Sequence, residues 1–243
     1  MLSANGTWQF DEYVSAAGWI DETRLLIASA SQLFEFDLDT GDQSFVCALE
    51  AENEITRSND GRADPMGGFW IGTMGINAEP RAGAIYRYYQ GALRRLFDKI
   101  TIPNSICFSP DGKIAYYTDT PKRKIMQVQL DDDGWPMGKP SLLVDLTATG
   151  ENPDGSVVDA TGNIWNAQWG SGRVACYSPS GELVDQVQLP AAHATCPAFA
   201  GATSQLFCTS ATQGIIDPAN TPNGQVFMDE VNAQGQLEHQ VIL

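Results

Sequence analysis

The sequence predicts an all-β fold of repeated four-stranded units, a β-propeller, and three observations carry that reading. Short apolar runs bounded by Gly, Pro, Asn, Asp and Ser clusters recur along the whole chain. The runs fall into units that begin near Gly18, Ala63, Ser105, Ser156 and Ala198, a period of roughly 42 to 51 residues. No stretch of ten or more residues combines helical periodicity with caps.

Each unit reads the same way. A short strand leads to a turn, an apolar strand returns with small residues at its end, and an amphipathic strand and a last strand follow. In the third unit, Ile106 and Phe108 lie in the first run, Ser109-Pro110-Asp111-Gly112 turns, and Ile114 to Tyr117 returns. In the fourth, Ser156-Val157-Val158 leads to Asp159-Ala160-Thr161-Gly162 and back through Ile164-Trp165-Asn166-Ala167; Arg173 to Tyr177 and Leu183 to Leu189 complete it. Asp64, Asp111 and Asp159 recur on the turn side and belong to blade architecture. The segment TWQFDEYV ahead of Gly18 reads as the outermost strand of an earlier unit. About five blades are therefore present in one domain spanning 1–243. A sixth would need about 40 residues more at the N-terminus, and a closed five-bladed ring is the alternative.

Composition narrows the function classes. With 14 Lys and Arg against 30 Asp and Glu, the formal charge of -16 disfavours phosphate backbones, so nucleic acid is not an expected partner. No apolar run reaches 18 residues, which gives no membrane-spanning helix. The five cysteines are odd in number and lack CxxC spacing. Together with an N-terminus that does not read as a signal peptide, they point to reduced thiols in a cytoplasm. There is no GxSxG elbow, and no cysteine has an evident base partner. His193 and His239 are isolated, and neither is expected to be catalytic.

Three polar stretches stand at blade starts. Asn104 precedes Ser105-Ile106 and Asp154 precedes Ser156-Val157, and in a propeller such residues converge on the channel mouth. An amide oxygen and a carboxylate aimed at one spot begin a hard-cation site, although Asn-Ser and Asp-Gly also make turns with their own backbone. The third stretch, Glu54 to Asp64, is either a solvated loop with Asp60-Gly61 as its turn or a ligand-facing segment. In the latter, Arg57 and Asn59, two apart, would face the same way.

Taken together, RSNDGRADPMGGFWIGTM (57–74), IPNSICFSPDGKIAYYTDT (102–120), NPDGSVVDATGNIWNAQWGSGRV (152–174) and LPAAHATCPAFAG (189–201) resemble the gluconolactonase family that includes senescence marker protein (regucalcin). The resemblance implies a six-bladed propeller that binds one divalent cation (Ca, Zn, Mn or Fe) at the channel mouth and hydrolyses a sugar lactone. It matches Asn104 and Asp154 to the family's metal ligands, Asp154 also to its proposed base, and Arg57 and Asn59 to its substrate-binding pair. A further polar contact would fall near Asn77 or Glu79. Ser105 stands where the family has Gly, a small departure if φ there is negative. Nothing in MLSANGTWQFDEYVS matches the family's glutamate ligand, so the expectation is a chain lacking its first blade. The competing reading is a propeller that binds a metal or another protein without catalysis, since a fold does not fix a function.

Overall fold

The computed structural model describes residues 6–243 and consists of nineteen strands in five antiparallel sheets arranged as propeller blades. The first blade is β1 (Val14–Trp19), β2 (Arg24–Ser29), β3 (Gln32–Asp37) and β4 (Gln43–Ala48). The second is β5 (Thr56–Ala63), β6 (Phe69–Gly75), β7 (Gly83–Tyr89) and β8 (Ala92–Ile100), and the third is β9 (Pro103–Phe108), β10 (Ile114–Asp119), β11 (Lys124–Leu130) and β12 (Pro136–Asp145). The fourth is β13 (Asn152–Val158), β14 (Ile164–Trp169), β15 (Arg173–Tyr177) and β16 (Leu183–Gln188). The fifth has three strands among the described residues, β17 (Ala194–Phe199), β18 (Gln205–Ser210) and β19 (Val226–Glu230).

Each blade is a meander, so sequence neighbours pair and only short turns are needed. The inner strands pack in chain order, β1 on β5, β5 on β9, β9 on β13 and β13 on β17. Because each blade's faces are covered by its neighbours, the core is a series of layers between blades. Leu26, Leu33, Phe69 and Ile71 fill the first of these; Trp70, Ile85, Ile106 and Phe108 the second; Trp165, Val174, Phe199 and Leu206 the last. Burial on both faces explains why β6 is buried at every residue, whereas the outermost β16 is largely exposed.

Aspartates at the blade turns act as the sequence suggests. Asp159 accepts from the backbone N–H groups of Thr161 and Asn163 and from Trp165 Nε1. Asp64 does the same for Met66 and Gly68, and also pairs with Arg87 at 2.6 Å, both side chains being fully buried.

Two expectations about strand placement are corrected. Residues 6–13 form no strand; Trp8 and Phe10 instead lay their rings against Phe34 and Phe36, and the chain enters β1 at Val14. TWQFDEYV is therefore not an outer strand: its aromatics cover an existing blade. The polar stretch around Arg57, expected ahead of the second blade's inner strand, is that strand, Thr56–Ala63, so of its two readings the extended segment holds and the loop falls.

β17 and β1 do not pack on each other as the other inner neighbours do. The C-terminal segment runs between them. Gln236 donates to the carbonyls of Val158 and Asp159, Glu238 pairs with Arg62, and the Val241 and Ile242 N–H groups donate to the carbonyls of Trp19 and Gly67. A cavity of about 400 Å³ lined by Gly18, Trp19, Ala198 and His239, among others, lies alongside.

Candidate active site

All five inner strands carry a register shift where they pair with their second strands. The shift falls at Val14/Ala16 in β1, at Ser58/Gly61 in β5, opposite Tyr116/Thr118 in β9, at Pro153/Ser156 in β13 and at Ala194/Pro197 in β17. A bulge leaves an extra residue unpaired and re-aims its side chain. Ser15, Asn59, Asp60, Asp154, Thr195 and Cys196, from the unpaired positions, and Asn104, paired with Thr118 beside the shift, line one cavity of about 890 Å³.

Arg57, Asn59, Asn104 and Asp154 thus lie within the inner strands β5, β9 and β13, where the sequence reading put them ahead of those strands. The bulge is the reason. An ordinary strand sends successive side chains to opposite faces, and the unpaired residue breaks that alternation, so that Asn59 and Asp60 both line the cavity.

A continuous hydrogen-bond chain joins three blades. Arg57 Nη1 donates to Asn59 Oδ1 at 3.1 Å, and Asn59 Nδ2 donates to Asn104 Oδ1 at 3.1 Å. Asn104 Nδ2 in turn donates to Thr120 Oγ1 at 2.9 Å, and the Thr120 hydroxyl donates to the Pro153 carbonyl at 2.8 Å, next to Asp154. The chain fixes the amide of Asn104 with its oxygen on the Asn59 side and leaves one lone pair of that oxygen unused. Tyr13 stacks its ring 5.9 Å from the Arg57 guanidinium.

Ser105 braces the site from behind. Its φ of +60° is positive, contrary to the expectation of a negative one, and puts a side chain where glycine is ordinarily found. The hydroxyl compensates: it donates to the Asp154 carbonyl at 2.5 Å and accepts from Asn166 Nδ2 at 3.1 Å and from Ser156 Oγ at 3.0 Å. Gly155 has the complementary task of close approach, since a Cβ there would sit 2.8 Å from both Cys196 Sγ and the Thr195 carbonyl.

Burial pushes the Asp154 carboxyl up to about 8, with the neighbouring Asp60 carboxylate raising it further; burial raises Asp60 as well. Asp60 Oδ2 accepts from the Ile106 N–H at 2.8 Å, whereas the Asp154 carboxylate receives no side-chain donor among the described residues. Neither carboxylate forms a salt bridge among the described residues, although Arg62 lies close enough to Asp60 to draw its pKa back down; with the free lone pair of the Asn104 amide oxygen they form an all-oxygen donor set. In donor type the residues present fit a hard divalent cation, and Asn104 and Asp154 are the side chains that could hold one. Among the described residues no group of three or more His, Cys, Asp or Glu side chains is gathered that could hold a metal.

Sequence reasoning missed Asp60, Thr120, Trp169 and His193, all of which line the cavity. Asn77 does so too, whereas Glu79 is turned to accept hydrogen bonds from the Asn77 backbone and side chain. Asp60 could have been found only by knowing the bulge; alone, Asp60-Gly61 has the composition of a turn.

Comparison with known proteins agrees with the propeller fold. A sequence profile described as the SMP-30/Gluconolactonase/LRE-like region matches residues 3–212. An L-arabinolactonase of Azospirillum brasilense is 37% identical over 94% of this chain and 78% of its own length. A 6-deoxy-6-sulfogluconolactonase of Pseudomonas putida is 31% identical over 96% of this chain and 81% of its own. Among solved structures, a calcium-binding protein, regucalcin, from Agrobacterium tumefaciens superposes with a TM-score of 0.93 at 41% identity, covering 96% of this chain and 81% of that one.

Proposed function

Because the chain belongs to the SMP-30/gluconolactonase/LRE-like family, we propose that it is a lactonase that opens the ring of a sugar lactone to the aldonic acid with the help of one divalent cation. The observation that carries this is the hydrogen-bonded line from Arg57 through Asn59 and Asn104 to the strand position of Asp154, all facing one cavity.

In this reading Arg57 and Asn59 receive the substrate. The Arg57 guanidinium stays charged and meets the ring hydroxyls and the oxyanion that develops on the carbonyl oxygen, with Asn59 orienting it. In its ionised form, the form that binds a cation, Asp154 takes a proton from the water that attacks the carbonyl carbon and returns it to the ring oxygen as the ester C–O bond breaks. Asp60 acts on Asp154 as a neighbouring negative charge, which favours a cation. When bound by Asn104 and Asp154, the divalent cation supplies Lewis-acid polarisation of the carbonyl.

The test is acid release from arabinolactone and gluconolactone, followed with a pH indicator. The wild-type protein is expected to turn over at least one of them, to lose that turnover on chelation and to regain it when a divalent cation is added back. Asp154→Ala is expected to lose about 100-fold or more in kcat/KM. Cation binding without turnover, or full activity in Asp154→Ala, would refute the reading.

A further inference from the structure

Across the cavity from Arg57 and Asn59 stands a wall that the chemistry above does not use. Trp169, the last residue of β14, and His193, just ahead of β17, pair through their backbones as an isolated bridge. Their rings stack with centroids 4.1 Å apart and planes at 17°. Both line the cavity that holds Asp154. The stack is held from outside as well, because the His193 N–H donates to Asn223 Oδ1 at 3.1 Å and the His193 carbonyl accepts from the Ala211 N–H at 3.0 Å.

The imidazole nitrogens differ. Nδ1 is enclosed and has no hydrogen-bond partner. A proton placed there would be an orphaned buried donor, the rarer and costlier case, whereas an enclosed lone pair is tolerated better. The proton therefore belongs on Nε2, the nitrogen left accessible on a half-buried side chain. His193 thus offers the cavity a fixed N–H donor, with Trp169 behind it holding the ring plane.

Resting on the lactonase reading, we infer that His193 is a specificity-determining residue: its Nε2–H, held by the Trp169 stack, donates to a hydroxyl of the sugar lactone on the side opposite Arg57. The class of substrate this selects is a polyhydroxylated lactone. A site built to hydrogen-bond a hydroxyl discriminates against the analogue that lacks it.

The experiment compares gluconolactone with δ-valerolactone, the same six-membered lactone ring without hydroxyls, in the wild-type protein and in His193→Phe and His193→Gln. Phe keeps a ring against Trp169 and removes the donor; Gln restores an N–H donor without the ring. For gluconolactone, His193→Phe is expected to raise KM about three- to tenfold with kcat within about twofold, the loss of one neutral hydrogen bond made in both ground and transition state. His193→Gln is expected to recover part of that loss. For δ-valerolactone, KM is expected not to move in either variant. Equal effects on the two lactones, or none on gluconolactone, would overturn the inference while wild-type turnover leaves the lactonase reading standing. A wild-type protein that hydrolyses no sugar lactone would sink that reading and the inference with it.

Discussion

Ser105 offers a test of how the site is braced, because its backbone strain and its hydrogen bonds can be separated by two substitutions. In Ser105→Ala the Cβ stays at φ +60° and all three hydroxyl contacts, to the Asp154 carbonyl, Ser156 Oγ and Asn166 Nδ2, are lost. Neither the carbonyl nor the amide is orphaned, since Asn166 Nδ2 also donates to Asp154 O at 3.2 Å, so the cost should be about 1–3 kcal/mol. Ser105→Gly loses the same contacts but relieves a left-handed conformation that costs an L-residue about 1–2 kcal/mol. The greater freedom of glycine in the unfolded chain takes back about 0.4–1 kcal/mol of that relief. The Gly variant is thus expected to be less stable than wild type but more stable than the Ala variant by about 0.5–1 kcal/mol. Urea denaturation at constant m-value reads the difference as a shift of midpoint. A Gly variant no more stable than the Ala variant would show that the backbone at this position is unstrained and would refute the reasoning.

Two further outcomes follow from other parts of the molecule. Arg87 and Asp64 are fully buried, and the guanidinium also lies 4.3 Å and 4.4 Å from the rings of Tyr89 and Trp135, so Arg87→Met, which strands the Asp64 charge, should cost about 3–5 kcal/mol in thermal or urea unfolding. In the chelated protein, Asp154 and Asp60 hold their protons more tightly folded than unfolded. Stability should therefore be highest near the ordinary aspartate range and fall as pH rises toward about 8; unfolding midpoints across that window should decline, and Asp154→Asn should flatten the decline.

The propeller was legible because its signals are local and repeated. Gly112 and Gly162 both adopt positive φ, at +68° and +91°, in turns whose backbone N–H groups are tied to Asp111 and Asp159, and each such turn sits between apolar runs that become paired strands. Five copies of one pattern leave little choice of architecture. What polarity left undecided was Thr56–Ala63: its Arg57, Ser58, Asn59, Asp60 and Arg62 read equally as a solvated loop, although it is an inner strand whose Arg57, Asn59 and Asp60 line a cavity. Likewise TWQFDEYV has the alternation of a strand, and only the tertiary cluster around Phe36 reveals that its aromatics act as a cover.

The site is less legible than the fold for a physical reason that the bulges make plain. Sequence spacing can say that Arg57 and Asn59 share a face of an extended segment, but whether Asp60 joins them depends on a one-residue shift against β6, a property of the pair and not of either strand. The same holds for Asp154 and Gly155 against β14. Because the shift recurs in all five inner strands, the fold itself turns polar side chains off the sheets and toward the axis, where Asp154 is enclosed beside Asp60. Burial and the neighbouring Asp60 charge both act against the ionised form of Asp154. A cation at the site, or a proton on Asp154, offsets that cost. The electrostatic cost built into the scaffold and the oxygen-rich donor set thus have one explanation, a propeller whose repeated irregularity serves the cavity at its axis.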